Sequence, residues 1–284
     1  MRLGEWLNKW YNLYVEASGK APSTKAMYRN AIDSVPIALG QTPMEDLTAI
    51  DILTWIRTTE TQYPRAAQID RQMMLLSMRV AVKMGMCHPS LADPECIPAV
   101  CHTARKAAVL TVDQFHRYID FAMQSPCAAP LLFCCCGLRR GEALGVRWTD
   151  IDLDTGVLTV TQQRQRIKGQ YMTRELKSRS AHRALVLPPR LIAYLQTQPR
   201  SLSGFVLDVT PDQLYQAHRA VLRAAGIPAV TLHGLRHTVA TIAAQTTTIT
   251  EVQHAMGHAK CAITADLYCN HLLAPCSALA SGWA

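Results

Sequence analysis

Residues 134–148 read CCCGLRRGEALGVRW, three consecutive cysteines running into a Gly-Leu pair, a doubled arginine and a glutamate. The stretch poses a choice between a metal or redox centre on Cys134, Cys135 and Cys136, and a site on Arg139 or Arg140 in which the cysteines only pack. None of the ten cysteines of the chain falls in a CxxC pair. Adjacent cysteines on a helix point in different directions and cannot together enclose one metal ion. The weight therefore shifts to the arginines.

Working outward, the 284 residues, 49% hydrophobic and 18% charged, suffice for two modest domains with a core each. No run approaches the roughly 18 consecutive apolar residues of a membrane span. The N-terminus, MRLGEWLNKWYNLYVEASG, has polar residues throughout where a signal peptide needs an apolar block, so a cytosolic chain is expected. The net charge of +8 suggests a polyanionic partner. Residues 1–105 hold 11 Lys+Arg against 10 Asp+Glu and residues 106–284 hold 18 against 11, so nearly all the excess sits in the second part.

The first hundred residues read as helical. Leu3, Trp6, Leu7, Trp10, Leu13 and Tyr14 recur at three and four. Ser23 and Thr24 are candidate caps of a second helix, and Thr48 caps a third with Ile50, Leu53 and Ile56 inward. A methionine-rich fourth helix spans 68–86, which makes a module of about four helices over 1–87. Pro89, Pro94 and Pro98 mark residues 88–109 as an extended interdomain linker ending in the basic pair Arg105 and Lys106. A second domain, 110–284, starts with Thr111 capping a helix. After TDIDLDTG, alternation at Leu158 and Val160 and a turn at Lys168-Gly169 predict a small antiparallel sheet of about three strands, and helices return after Pro188. The fold class is mainly α with a small antiparallel β-sheet (α+β). From Arg164 to Arg190, both included, there are eight Lys and Arg residues and one acid, Glu175.

Four segments of the second domain each place polar groups where an apolar pattern ends: GLRRGEALGVRWTDID (137–152), LKSRSAHRALVLP (176–188), LHGLRHTVATIAAQ (232–245) and HAMGHAKCAITADLYCNH (254–271). Together they supply arginines, a lysine, histidines and a tyrosine with hardly an acid. Such a set suits a dianionic phosphorane-like transition state: guanidinium groups clamp non-bridging oxygens, and a lysine or histidine passes protons to bridging ones. A metal-dependent nuclease needs clustered carboxylates. Asp150, Asp152 and Asp154 are the one such cluster and sit in the turn before a strand. His233 with His237, and His254 with His258, are spaced i, i+4 as zinc ligands can be, but no third ligand stands at a fixed spacing and no metal or other cofactor is expected.

The order GLRRGE, a hairpin lysine, HGLRHT, MGH and a tyrosine ten residues later resembles the tyrosine recombinases, the integrases of phages and mobile elements. The resemblance covers the whole second domain, and the helical first module looks like the family's core-binding domain. It implies catalytic roles for Arg139, Lys177, His233, Arg236, His258 and Tyr268, with Tyr268 as nucleophile and Glu142 as support for an arginine. Arg140 is the weaker choice of arginine, because the family's arginine directly follows the Gly-Leu pair. Arg105, Lys106, Arg140, Arg164, Arg166, Lys168, Arg174, Arg179 and Arg183 are the expected DNA contacts. Two positions depart from the family pattern: Cys136 stands where threonine is usual, and EVQHAM replaces an apolar repeat ending in leucine. Neither removes a catalytic group.

The resemblance further implies a homo-tetramer on double-stranded DNA, assisted by accessory DNA-bending or directionality factors, with the tail NHLLAPCSALASGWA docking on a neighbouring subunit. The chain is expected to lack the arm-binding domain that many phage integrases carry ahead of the helical module. Two other classes share these features: a DNA-binding regulator that keeps the fold without strand transfer, and a type IB topoisomerase that acts without site preference.

Overall fold

The computed structural model describes residues 1–101, 108–167, 170–176, 182–245 and 247–257. It divides into two compact units, Met1–Arg105 and Lys106–Ala284. Among the described residues no helix is long and apolar enough to cross a membrane.

In the first unit α1 (Leu3–Trp10) buries Leu3, Trp6, Leu7 and Trp10, as their spacing predicts. Tyr11–Glu16 continues it as a π-helix. The wider turn changes the angle between successive side chains, so Leu13 and Tyr14 point outward although they extend the stripe in sequence. In α2 (Pro22–Asp33) the first helical residue is Pro22 and the N-cap is Ala21, without a side-chain cap. Ser23 and Thr24 are therefore inside the helix: proline's fixed φ and missing N–H suit the first position, and no side-chain cap is needed to start it. After the short α3 (Ile37–Gln41), α4 (Ala49–Gln62) starts at Thr48, whose hydroxyl accepts from the Asp51 amide. That start turns Ile52, Trp55 and Ile56 inward and leaves Ile50 exposed, against the expected inner position of Ile50.

Helix α5 (Pro64–Lys83) is the centre of this unit, with Met73, Met74 and Met78 fully buried. Part of the stretch expected as an extended linker packs on the core of the first unit. Pro89–Ala92 forms a 3₁₀ turn, and Leu91, Ile97 and Val100 are buried in the same cluster. Arg71 Nε holds the Ile97 carbonyl at 2.7 Å, so the chain stays on α5 well past residue 88. The prolines break the helix, but the apolar residues between them still have surface to bury.

The second unit opens with α6 (Val112–Ala122), capped by Thr111, whose hydroxyl accepts from the Gln114 amide. In α7 (Ala128–Cys135) all eight residues are buried. Then come α8 (Arg140–Gly145) and five short strands, β1 (Ile151–Asp152), β2 (Val157–Val160), β3 (Gln162–Ile167), β4 (Gln170–Glu175) and β5 (Arg183–Val186). The strands form two sheets rather than one of three strands: β1-β2-β5, and a separate β3-β4 hairpin, both antiparallel. The hairpin pairing ends at Ile167↔Gln170, on either side of Lys168-Gly169. Helices α9 (Pro189–Gln196), α10 (Pro211–Ala224), α11 (Leu232–Ala243) and α12 (Ile249–Met256) follow. The core gathers Tyr118, Leu131, Phe133, Leu138, Leu158, Leu214 and Leu235. Inside it, Tyr118 Oη meets His218 Nδ1 at 2.8 Å, and His218 Nε2 bonds the Val230 carbonyl at 2.8 Å, just ahead of α11.

One group in the first core is poorly compensated. Asp70 is 2% exposed, takes a hydrogen bond from Ser34 Oγ at 3.2 Å, and its other oxygen has no partner. Burial pushes its carboxyl up to about 6, with the Ser34 bond only partly opposing the shift. The folded chain thus binds more protons than the unfolded chain between a pKa of about 3.9 and that value, so this contribution to stability is present at low pH and is lost as pH rises through about 6. Asp70→Asn keeps the shape without the charge. In urea denaturation its stability relative to wild type should increase from pH 4.5 to pH 7.5; an advantage that does not grow with pH would refute the assignment.

Candidate active site

The turn out of α7 decides where the first arginine stands. The Gly137 amide donates to the Cys134 carbonyl at 3.0 Å, and the Leu138 amide to the Phe133 carbonyl at 3.1 Å. This is a Schellman ending, which needs a left-handed residue at the position of Gly137. Gly137 has φ +88°, and a Cβ there would also lie 2.6 Å from Met256 Cε. Leu138 is buried as the turn closes. Arg139 follows as the N-cap of α8. The cysteines are packing: Cys134 and Cys135 are buried, and burial pushes the thiols of Cys134 and Cys136 up to about 12 and that of Cys135 well above its ordinary value.

Glu142, in the first turn of α8, is the hub. Its Oε2 accepts from the Arg139 amide at 2.8 Å and from Arg183 Nη2 at 2.8 Å, while Oε1 accepts from Arg139 Nη1 at 2.8 Å. Arg236 Nη1 lies 3.9 Å from Oε2. Glu142 is 1% exposed. Burial alone would raise its carboxyl, but the bonds from Arg183 and Arg139 outweigh that and hold it below the ordinary glutamate range. Three guanidinium groups around one carboxylate leave a positive excess. Of the three, Arg183 and Arg236 are buried, with side chains 5% and 2% exposed, and Arg139 is the open one at 38%.

The arginines also gather the end of α12. Arg183 Nε donates to the Ala255 carbonyl at 2.7 Å, Arg236 Nη2 donates to the Met256 carbonyl, and Arg139 Nη2 donates to the Gly257 carbonyl at 3.1 Å. Arg236 Nη1 donates to the Gly137 carbonyl. Burial, followed by the neighbouring Arg139 charge, lowers the Arg236 guanidinium to about 9, which leaves it charged at neutral pH.

Helix α11 brings His233 and Arg236 to this cluster. Thr231 caps it, its hydroxyl accepting from the Gly234 amide at 2.9 Å. Gly234 is required because a Cβ would lie 2.9 Å from the Ala108 carbonyl oxygen. The Leu110 amide donates to Thr238 Oγ1 at 3.0 Å, which ties the start of this unit to the same helix. Desolvation, then the charges of Arg236 and Arg139, hold His233 below the ordinary imidazole value. His233 and His237 stack edge to face at 4.3 Å.

Of the residues expected from the sequence, Arg139, Glu142, His233 and Arg236 are thus brought together. Lys177, His258 and Tyr268 lie outside the described residues, as do Arg105, Lys106, Lys168 and Arg179. Arg140 donates to Tyr215 Oη at 2.8 Å, Arg164 pairs with Asp208 at 2.5 Å over the Phe205 ring, and Arg166 approaches Asp212 at 3.6 Å. Arg174 stands on β4 opposite Gln163. Arg183 is a correction: expected as a DNA contact, it is buried against Glu142 and α12, because β5 turns it inward.

The hairpin's seat was also not anticipated. A Cβ at Gly141 would lie 3.1 Å from the Arg164 carbonyl oxygen and one at Gly145 3.2 Å from Gln163 Cα, while Gln162 Nε2 donates to the Gly145 carbonyl at 2.8 Å. The i, i+4 glycines in GEALG were the available signal.

Residues 108–273 match the phage integrase family. The chain is 25% identical over 274 residues to a Mycobacterium tuberculosis protein described as a phiRv2 prophage integrase, covering 90% of this chain and 71% of that one. In fold it is similar to the Tn1549 transposon integrase in complex with a circular intermediate DNA, with TM-score 0.78 and 16% identity over the whole of both chains. A lambda integrase tetramer bound to a Holliday junction matches with TM-score 0.72 and 19% identity, covering 94% of this chain and 77% of that one. With the arginine cluster and the His233–Arg236 helix lying inside the matched region, the chain belongs to the phage integrase family and is a tyrosine recombinase.

Proposed function

We propose that this enzyme cleaves and rejoins specific double-stranded DNA sites through a covalent tyrosine intermediate, working as a homo-tetramer on two sites. The observation that carries the reading is the positive excess around Glu142, with Arg139 alone of its three arginines open to an incoming anion. A phosphodiester supplies one negative charge in the ground state and gains another as the nucleophile adds. Donors fixed before the reaction stabilise that second charge without reorganising.

In this reading the phenolate oxygen of Tyr268 attacks phosphorus, the bond to the 5′-oxygen breaks, and a 3′-phosphotyrosine remains. Lys177 gives a proton to the leaving 5′-oxygen, and His233 takes the phenol proton. His258 donates a hydrogen bond to the phosphate. The phosphoester bond energy is kept in the intermediate, so rejoining needs no ATP. Repeating the exchange on the second strand pair passes through a Holliday junction, and the lambda integrase tetramer on such a junction supports that assembly here. Arg140, Arg164, Arg166 and Arg174, on α8 and the hairpin, are proposed DNA contacts, as are Arg105, Lys106, Lys168 and Arg179.

A DNA site nicked so that the short fragment bearing the freed 5′-hydroxyl diffuses away traps the intermediate. Wild type should yield a covalent adduct that Tyr268→Phe abolishes. Arg139→Ala should slow adduct formation by about 10²–10³-fold with DNA affinity largely kept, whereas Cys136→Thr should stay within about twofold. Adduct on no site would leave a regulator, and adduct on arbitrary DNA a topoisomerase-like enzyme.

The depressed His233 gives a second expectation. A base held below the ordinary value of about 6.5 stays neutral as pH falls to that point, so adduct formation should hold from pH 8 to 6.5 and decline only below it. His233→Gln should lower the rate by about 10²-fold and erase that acidic decline. A decline already centred above pH 6.5 that survives His233→Gln would rule this role out.

A further inference from the structure

We propose that Arg183 is a positioning residue that sets Arg139 and Arg236 for the phosphate by locking Glu142 to the end of α12; this rests on the strand-transfer reading above. Its guanidinium is a planar fork, with Nε on the Ala255 carbonyl at 2.7 Å and Nη2 on Glu142 Oε2 at 2.8 Å. The angle between those two bonds is fixed by the group itself. One rigid side chain on β5 therefore determines how far the first turn of α8 stands from the last turn of α12.

The same two elements hold the other arginines. Glu142 takes both the amide and the side chain of Arg139, and the carbonyls of Met256 and Gly257 take Arg236 and Arg139. Three arginines thus occupy three successive carbonyls at the C-terminal end of a helix, where carbonyls lack partners within the helix and the dipole is negative. Removing Arg183 takes one of two close cationic partners from a buried carboxylate. Arg236, 3.9 Å away, is the cation nearest to replace it, and moving there would draw it from its own carbonyls. A lysine reaches one of the two partners but not both. With its side chain 5% exposed, Arg183 has no surface to offer DNA directly.

The test compares wild type, Arg183→Gln and Arg183→Lys on the nicked site, with the scissile phosphate intact or replaced by an uncharged methylphosphonate. Specific affinity of both variants should stay within about threefold of wild type, with an unchanged salt slope. Adduct formation on the phosphate should fall by about 10²-fold, the scale of a small misplacement of reacting groups. Both variants should show this fall, which keeps the comparison available from Arg183→Lys if Arg183→Gln fails to fold. On the methylphosphonate the penalty should shrink by at least about tenfold, because the charge that the displaced arginines fail to meet is gone. A salt slope lower by about one makes Arg183 a phosphate contact and overturns the proposal. Equal penalties on both substrates reduce it to general support of the fold and also overturn it. No adduct with wild type overturns the strand-transfer reading and this inference with it, whereas wild-type rates in both variants overturn this inference alone.

Discussion

The second unit depends on a single buried carboxylate. Removing an ion from water costs several kcal/mol, and the cost is met only when its partners are close and well aligned. Glu142 satisfies this with an amide and two guanidinium groups at 2.8 Å. The partners come from α8 itself and from β5, with α11 close behind, so elements far apart in sequence share one electrostatic anchor. The arrangement leaves cations in excess, which is unfavourable in isolation and suits a protein whose ligand is an anion.

What was legible in the sequence was what is decided locally. Thr48 and Thr111 cap the helices they were expected to cap, because a cap depends on residues within one turn. The Gly-Leu pair likewise acts locally: Gly137 supplies the left-handed residue and buried Leu138 closes the turn, which leaves Arg139 at the N-cap of α8 beside Glu142. The errors fell where distant packing decides. Nothing near Ile97 or Val100 told of α5, and the prolines around them suggested an open linker. In the basic run from Arg164 to Arg190 every arginine looks alike as sequence, yet Arg183 is buried while Arg166 is exposed. The acidic neighbours that distinguish Arg164, Arg166 and Arg183 are Asp208, Asp212 and Glu142, all outside the run.

Those neighbours form a layer of their own. Arg140 on Tyr215, Arg164 between Asp208 and Phe205, and Arg166 near Asp212 are each held by a residue from the first turns of α10 or the segment leading into it. Such partly exposed pairs contribute about 0–1 kcal/mol each. They are strong enough to limit where long side chains roam and weak enough to be exchanged for another anion. The layer thus differs in kind from the Glu142 cluster, whose bonds are buried.

The contact between α8 and β3 has a consequence of another sort. Gly141 and Gly145 let the helix rest on the strand's main chain, meeting a carbonyl oxygen and a Cα that any residue would present at 163 and 164. Apart from the Gln162 amide on the Gly145 carbonyl and the Gln163 side chain beside Gly141, the joint is backbone and does not register which side chains the strand turns away from the helix. The outward face of the hairpin is therefore free to drift under selection, one substitution at a time, without loosening the helix that begins at the first arginine.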